Sequence, residues 1–417
     1  MMKLWSNTYK ILNNHTLITL YTAMYICLIL GVFLSSGTEY FDLIAVFTLA
    51  LYVTYFIINK WRNNIWSTIH NQKTFQIPSF KQKSLKKLSA LLLGIISCFI
   101  VLHYFKLGSI PVVDVWLSYN YDEIVAIRKS ITSDHGAFWN YGMSFCIKGL
   151  IPFMLVYYLH KNNKRHFLFL LVLSAVYAFS LIQKNFTVYI LLPLLIYCVL
   201  KRNWIVLLLS FCIIMTSIST LVIATNPILR NHNENTIEYP ITEHPKFETE
   251  KILDEGEKST IISNALIRRV FYVPGNMVSE WFRLIPKEEP YLYGNGYRFI
   301  APFSSKPFID YGNILYPKIY PHFAKRGYSG TVNAASFVYD YANFGVYGLV
   351  ISGILLAILF NFIEIIFSNN LLVKICFNGF HVLMLSSASM YTLLLSGGWI
   401  LIILLYKVFT KDLISSN

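Results

Sequence analysis

The side chains best suited to chemistry gather between residues 264 and 331. Arg268 and Arg269 stand together before Val273-Pro274-Gly275, and Glu280, Arg283, Arg298, Asp310, Lys318, His322, Lys325 and Arg326 follow. Aromatic residues are interleaved with them, among them Tyr272, Trp281, Tyr291, Tyr293, Tyr297, Phe299 and Tyr311. A guanidinium offers a planar fork of donors that matches phosphate oxygens. Aromatic faces suit sugar rings and the depth of lipid headgroups. Together these residues suit an anionic, lipid-linked glycan. The same composition also describes a solvated loop whose Tyr and Trp rest at a membrane interface. Glu280, Asp310 and His322 are the candidate general bases, with His322 four residues before Arg326.

A second group lies in residues 107–138, where Asp122, Glu123 and Arg128 fall close together. Adjacent acids could serve as a base or hold a divalent metal, or be a solvated pair. Lys148 and Lys184 sit in or beside apolar runs. Charge inside a membrane is costly and often functional, although either lysine could also snorkel to the surface.

These residues need a frame, and composition says what it is. The chain has 417 residues, 55% of them hydrophobic and 13% charged, with mean hydropathy +0.52. Soluble domains carry about a quarter charged residues. Here the apolar residues fall in blocks of about twenty, the length that crosses the hydrocarbon. The expected fold is an all-α polytopic membrane protein with about ten transmembrane helices and one large external loop. Spans are expected at about 16–35, 41–59, 88–106, 139–159, 167–183, 186–200, 204–225, 332–367, 371–392 and 394–409. The chain then divides into residues 1–225 with seven spans and a short external loop at 107–138, the long loop 226–331, and residues 332–417 with three spans. The run 332–367 is too long for one straight crossing, so its first part should be buried among other helices.

The net charge of +14 is a topology signal rather than a nucleic-acid one. Lys60, Arg62, Lys73, Lys81, Lys83, Lys86 and Lys87 occupy one connection without an acidic residue, which holds it in the cytoplasm. Lys3, Lys10, Lys161, Lys164, Arg165, Lys201 and Arg202 fall on the same side, so both termini are expected there. The long loop is nearly balanced, with 13 Lys and Arg against 12 Asp and Glu. All six cysteines lie in apolar runs, which excludes a disulfide in the long loop, and no Cys/His cluster points to zinc.

The run GTVNAASFVYDYANFGVYGLVISGI resembles the Wzy-type O-antigen or oligosaccharide repeat-unit polymerases, through Tyr341-x-x-Phe344-Gly345-x-x-Gly348 opening a late helix after the long loop. IRRVFYVPGNMVSEWF and YNYDEIVAIR, which ends at Arg128, are similar to two further segments of that family. The resemblance implies a metal-independent, GT-C-like glycosyltransferase of the bacterial inner membrane, without cofactor, with the long loop periplasmic. Its substrates would be undecaprenyl-pyrophosphate-linked glycans, and a chain-length regulator would be a partner. On that reading Arg268, Arg269 and Arg128 carry the chemistry with Glu280 or His322, and Arg298, Arg326, Lys184 and Asp310 bind substrate or pyrophosphate. Rivals are an O-antigen ligase, a metal-dependent polyprenyl-phosphate-sugar transferase using Asp122 and Glu123, and, more remotely, a transporter or flippase. Residues 228–258 match nothing in the family.

Overall fold

The computed structural model describes residues 14–69, 82–118, 121–133, 136–225, 268–303, 307–325, 327–367 and 371–414. Helices account for nearly all the regular structure, and no strand occurs among the described residues. The order is α1 (Thr16–Ser36), α2 (Phe41–Ile69), α3 (Gln82–Leu107), α4 (Pro111–Leu117), α5 (Tyr121–Ser133), α6 (Ala137–Phe145), α7 (Ile151–His160), α8 (Lys164–Ser180), α9 (Lys184–Lys201) and α10 (Trp204–Ala224). Then come α11 (Val273–Leu284), α12 (Tyr311–Ile319), α13 (Pro321–Lys325), α14 (Ser336–Phe344), α15 (Val346–Ile366), α16 (Leu371–Met384), α17 (Met390–Leu394) and α18 (Trp399–Ile414).

Among the described residues eight stretches are helical, long and apolar enough to cross a membrane: 16–36, 41–61, 84–117, 137–160, 184–201, 204–224, 346–366 and 390–410. The chain is an all-α polytopic membrane protein. The first crossing shows why: its 21 residues contain no charge, and at 1.5 Å per residue they reach about 31 Å. The two other expected spans correspond to shorter helices, α8 with 17 residues and α16 with 14.

The run 332–367, expected to be too long for one crossing, is two helices, the first buried. Gly345 takes φ +61°, a conformation that favours glycine, and ends α14. A Cβ on Gly348 would stand 2.0 Å from the Asp340 carbonyl oxygen, so glycine lets α15 start directly against α14. Nearly every side chain of α14 is buried. The apolar run therefore splits into a buried helix and a crossing helix.

Glycines also bring helices into backbone contact elsewhere, as small residues do where lipid supplies no hydrophobic drive for helix association. A Cβ on Gly31 of α1 would fall 2.2 Å from the Phe271 carbonyl oxygen, and one on Gly275 of α11 would fall 2.2 Å from the Gly31 carbonyl carbon. The Ser279 hydroxyl adds bonds of 2.8 and 3.0 Å to Ser35 and Ser36. Helix α11, from the long loop, is thus fixed to the end of the first crossing. Gly353 does the same between α15 and α2, lying against the Phe47 carbonyl and the Leu51 amide. Inside the bundle Lys374 of α16 pairs with Glu364 of α15, each side chain 1% exposed, and Glu364 also accepts from the Leu17 amide at 2.7 Å.

Candidate functional site

A cavity of about 690 Å³ lies where the long loop meets the crossing helices. Three groups of residues form it, each held by a local cause.

The first is the wall of Lys148, Tyr189, Phe380 and residues 395–397. Between α6 and α7 the helix widens to a π turn over Cys146–Leu150, and the Ile151 amide donates to the Cys146 carbonyl five residues back. Pro152 follows and has no N–H to return to the Lys148 carbonyl. Such single wide turns often mark functional positions. The turn carries Lys148, whose Nζ lies 5.7 Å from the centre of the Tyr189 ring. No described carboxylate forms an ion pair with it. Gly149 and Gly398 meet backbone to backbone beside it, and Ser144 donates to the Ser396 carbonyl at 2.7 Å. His381 holds the same connection through Nε2 and the Gly397 carbonyl, 3.0 Å apart.

The second wall belongs to residues 292–299 of the loop. Asn343 of α14 shapes it: the Asn343 Oδ1 accepts from the Gly294 and Gly296 amides at 3.2 and 3.0 Å. The Leu292 and Tyr293 amides donate to the Ala342 and Asn343 carbonyls at 3.0 and 2.9 Å. Tyr297 donates to the buried carboxylate of Asp340. Burial pushes the Asp340 carboxyl up to about 6, against opposing hydrogen bonds from Ser352 and Tyr297. This brace presents Arg298 to the cavity. Its Nη1 donates to the Tyr141 hydroxyl at 3.2 Å, and its guanidinium lies 4.9 Å from the centre of the Phe308 ring.

The third wall contains Asp310, Tyr311, Trp281, Tyr339, Thr331 and Asn333. Asp310 caps α12, its Oδ1 accepting from the Gly312 amide at 3.0 Å. Val332 N–H donates to the Gly312 carbonyl at 2.9 Å, and Thr331 Oγ1 donates to Asn313 Oδ1 at 2.5 Å. These two bonds bring residues 331–333 beside Asp310. Trp281 is fully buried against Tyr339 and Tyr311, with ring centres 4.9 and 6.5 Å apart, and its indole N–H has no hydrogen-bond partner among the described residues.

Of the residues singled out from the sequence, Arg298, Asp310 and Lys148 line this one cavity, together with the aromatic Trp281, Tyr297, Phe299 and Tyr311. The others that the structure describes do not. Arg268 is exposed and lies 5.5 Å from the centre of the Tyr272 ring. Glu280 pairs with Arg283 at 2.9 Å, in an outer network that joins Arg283 to Glu288 and Lys318 to Glu288 and Glu289. His322 is exposed on the short α13, Arg128 is exposed on α5, and Lys184 opens α9 half-buried. Arg269 belongs to the π turn Arg268–Tyr272, but its side chain lies outside the described residues, as does all of Arg326 and the 228–258 segment. Glu123 is exposed on α5 beside Asp122, whose side chain is also outside them. Among the described residues no group of three His, Cys, Asp or Glu could hold a metal ion.

Sequence reasoning named Trp281 among the interleaved aromatics but missed Asp340 and Asn343 as parts of the site. Asp340 carried a usable signal, being the sole carboxylate between residues 311 and 363. Asn343 carried none beyond residue type.

The lining joins two cations, one carboxylate, several amides and hydroxyls, and a high share of aromatic rings. Such a surface can hold a phosphate-bearing group at its cationic side and sugar rings on its aromatic faces. No protein-family model, no curated protein and no solved structure matches the chain.

Proposed function

We propose that the protein is a membrane-embedded glycosyltransferase of the Wzy type, joining lipid-linked oligosaccharide repeat units into a surface polysaccharide. The donor is a glycan on undecaprenyl pyrophosphate, and the acceptor is a repeat unit on the same carrier. One observation carries the reading: Lys148, which has no described carboxylate partner on a widened turn of a crossing helix, shares an aromatic-lined cavity with Arg298 of the long loop. A lipid pyrophosphate enters from the bilayer side and its glycan extends into the loop. A cavity lined from both directions suits that amphipathic molecule.

The chemistry follows from charge. The acceptor hydroxyl attacks the anomeric carbon of the donor sugar, and the bond from that carbon to the pyrophosphate oxygen breaks. The leaving oxygen keeps the electron pair. Lys148 and Arg298 stabilise the negative charge as it develops. Tyr141 orients Arg298 through its hydroxyl, and the Asn343 and Asp340 contacts hold the loop that bears it. On this reading Tyr341, Phe344 and Gly345 are packing: Tyr341 donates to the Ile285 carbonyl at 3.3 Å, and Gly345 makes the turn between helices. The long loop faces the periplasm, and both termini face the cytoplasm.

Deleting the gene and resolving surface polysaccharide by gel tests this. Loss of polymerase leaves anchor plus a single repeat unit. Loss of every attached unit would assign the chain as a ligase instead.

A further inference from the structure

The third wall of the cavity holds an acceptor and a donor that the fold leaves available. Asp310 spends Oδ1 on the cap of α12, with the Gly312 amide at 3.0 Å. Among the described residues its Oδ2 has only the Asn313 side-chain amide, at the long distance of 3.5 Å. Trp281 lines the same cavity with 0% of its surface exposed, and its indole N–H is unpartnered among the described residues. Leaving a buried donor unmade costs roughly 1–3 kcal/mol, and of the described buried polar side chains without a partner Trp281 alone lines this cavity, beside Asp310. Asn333 and Thr331 sit beside them, placed by the Val332 to Gly312 bond. Asp310 is the one carboxylate among the described lining residues; Glu280 is held in the outer ion-pair network and His322 is exposed on α13.

We propose that this wall is the acceptor-sugar subsite, with Asp310 as the catalytic base and Trp281 as its binding donor. This rests on the glycosyltransferase reading above and adds the side on which the attacking sugar sits. Trp281 N–H donates to a sugar oxygen, and the Tyr339 and Tyr311 rings cover the sugar. The acceptor hydroxyl passes its proton to Asp310 Oδ2 as its oxygen bonds to the donor's anomeric carbon. The carbon–oxygen bond to pyrophosphate breaks at the same centre, and the electron pair leaves with the pyrophosphate toward the Lys148 and Arg298 side.

The test uses the full chain in nanodiscs. One probe is lipid-linked oligosaccharide extracted from cells lacking this protein. The other is the lipid-free oligosaccharide released from it by mild acid. Asp310→Asn keeps a good helix cap, so folding is retained while the base is lost. The expected result is a kcat for dimer formation lowered about 10²–10⁴-fold, with KM changed less than about threefold and part of the rate restored by Asp310→Glu. Trp281→Phe keeps an aromatic ring, smaller than the indole, and removes the N–H. It should weaken binding of the lipid-free oligosaccharide roughly 3–10-fold. If Asp310→Asn melts below the wild type, Asp310→Ser, a second capping residue, takes its place. A kcat within about threefold of wild type in a folded Asp310 variant overturns the base assignment, and unchanged binding in Trp281→Phe overturns the subsite. Wild-type protein that binds the lipid-free oligosaccharide, weakened by Trp281→Phe, yet forms no dimer would refute the polymerase reading and leave the subsite standing.

Discussion

Lys148→Met is the most revealing single substitution. It removes the charge while keeping a long, flexible, apolar side chain. The structure gives Lys148 no carboxylate partner among the described residues, so the change strands no buried anion. It also removes a charge from a largely apolar setting beside Tyr189 and Phe380, where a cation is costly. The expected melting temperature is therefore equal to the wild type's or higher. Activity should move the other way. One charge-assisted contact to a developing oxyanion contributes about 2.7–4 kcal/mol, so the elongation rate should fall about 10²–10³-fold. Lys148→Arg should recover part of the loss. The assay is the initial rate of dimer formation from lipid-linked oligosaccharide, beside a melting curve in the same detergent. A Lys148→Met protein that elongates within about threefold of wild type would refute the reasoning. So would a large drop in melting temperature, since that would make the lysine a structural group.

Asp340 gives a pH prediction. Its folded-state value near 6 lies above the ordinary 3.8. Between those values the folded protein binds more protons than the unfolded chain, so stability falls as pH rises. The contribution, full below about pH 4 and lost through pH 6, amounts to about 3 kcal/mol. Asp340→Asn, which can still accept from Tyr297, should flatten the melting temperature across that window; an unchanged slope would contradict the assignment. Gly348→Ala should destabilise by about 1–3 kcal/mol, because its Cβ meets the Asp340 backbone 2.0 Å away, and normal melting behaviour would mean that α14 and α15 separate more easily than their contact implies. Glu280→Gln should leave elongation within about twofold, since Glu280 lies in an exposed ion-pair network whose pairs each contribute about 0–1 kcal/mol; a loss of tenfold or more would return Glu280 to the site. EDTA should leave elongation unchanged, and abolished activity would favour the metal-dependent transferase.

The crossings were legible because an uncharged run of about twenty residues has few alternatives to a membrane helix. Helix α1 is such a run from Thr16 to Ser36. That the run 332–367 is too long for one crossing and buries its first part was legible from its length, but the position of the break at Gly345 was not, because the sequence has no proline or charge there. The positive φ of Gly345 and the fit of Gly348 against Asp340 place the break. Charge made Lys148, Arg298 and Asp310 visible as candidates in the sequence, and so were Arg268, Glu280 and His322. What separates the two groups is packing between residues far apart in the chain. The Arg298–Tyr141 bond spans 157 positions and the Ser144–Ser396 bond 252. No local pattern encodes such distances. The same limit hid the clamp of Asn343 on residues 292–296, which looks in sequence like one more amide in an apolar helix.

The central claim is that this cavity elongates a glycan on a lipid pyrophosphate. Purified protein in nanodiscs, given lipid-linked oligosaccharide of one repeat unit and no other protein, tests it most directly. The products are resolved by mass. The account predicts a ladder rising by whole repeat units, with one undecaprenyl pyrophosphate released per bond formed, and its loss in Arg298→Ala with Lys148→Met. Single units recovered unchanged by protein that melts normally would contradict it.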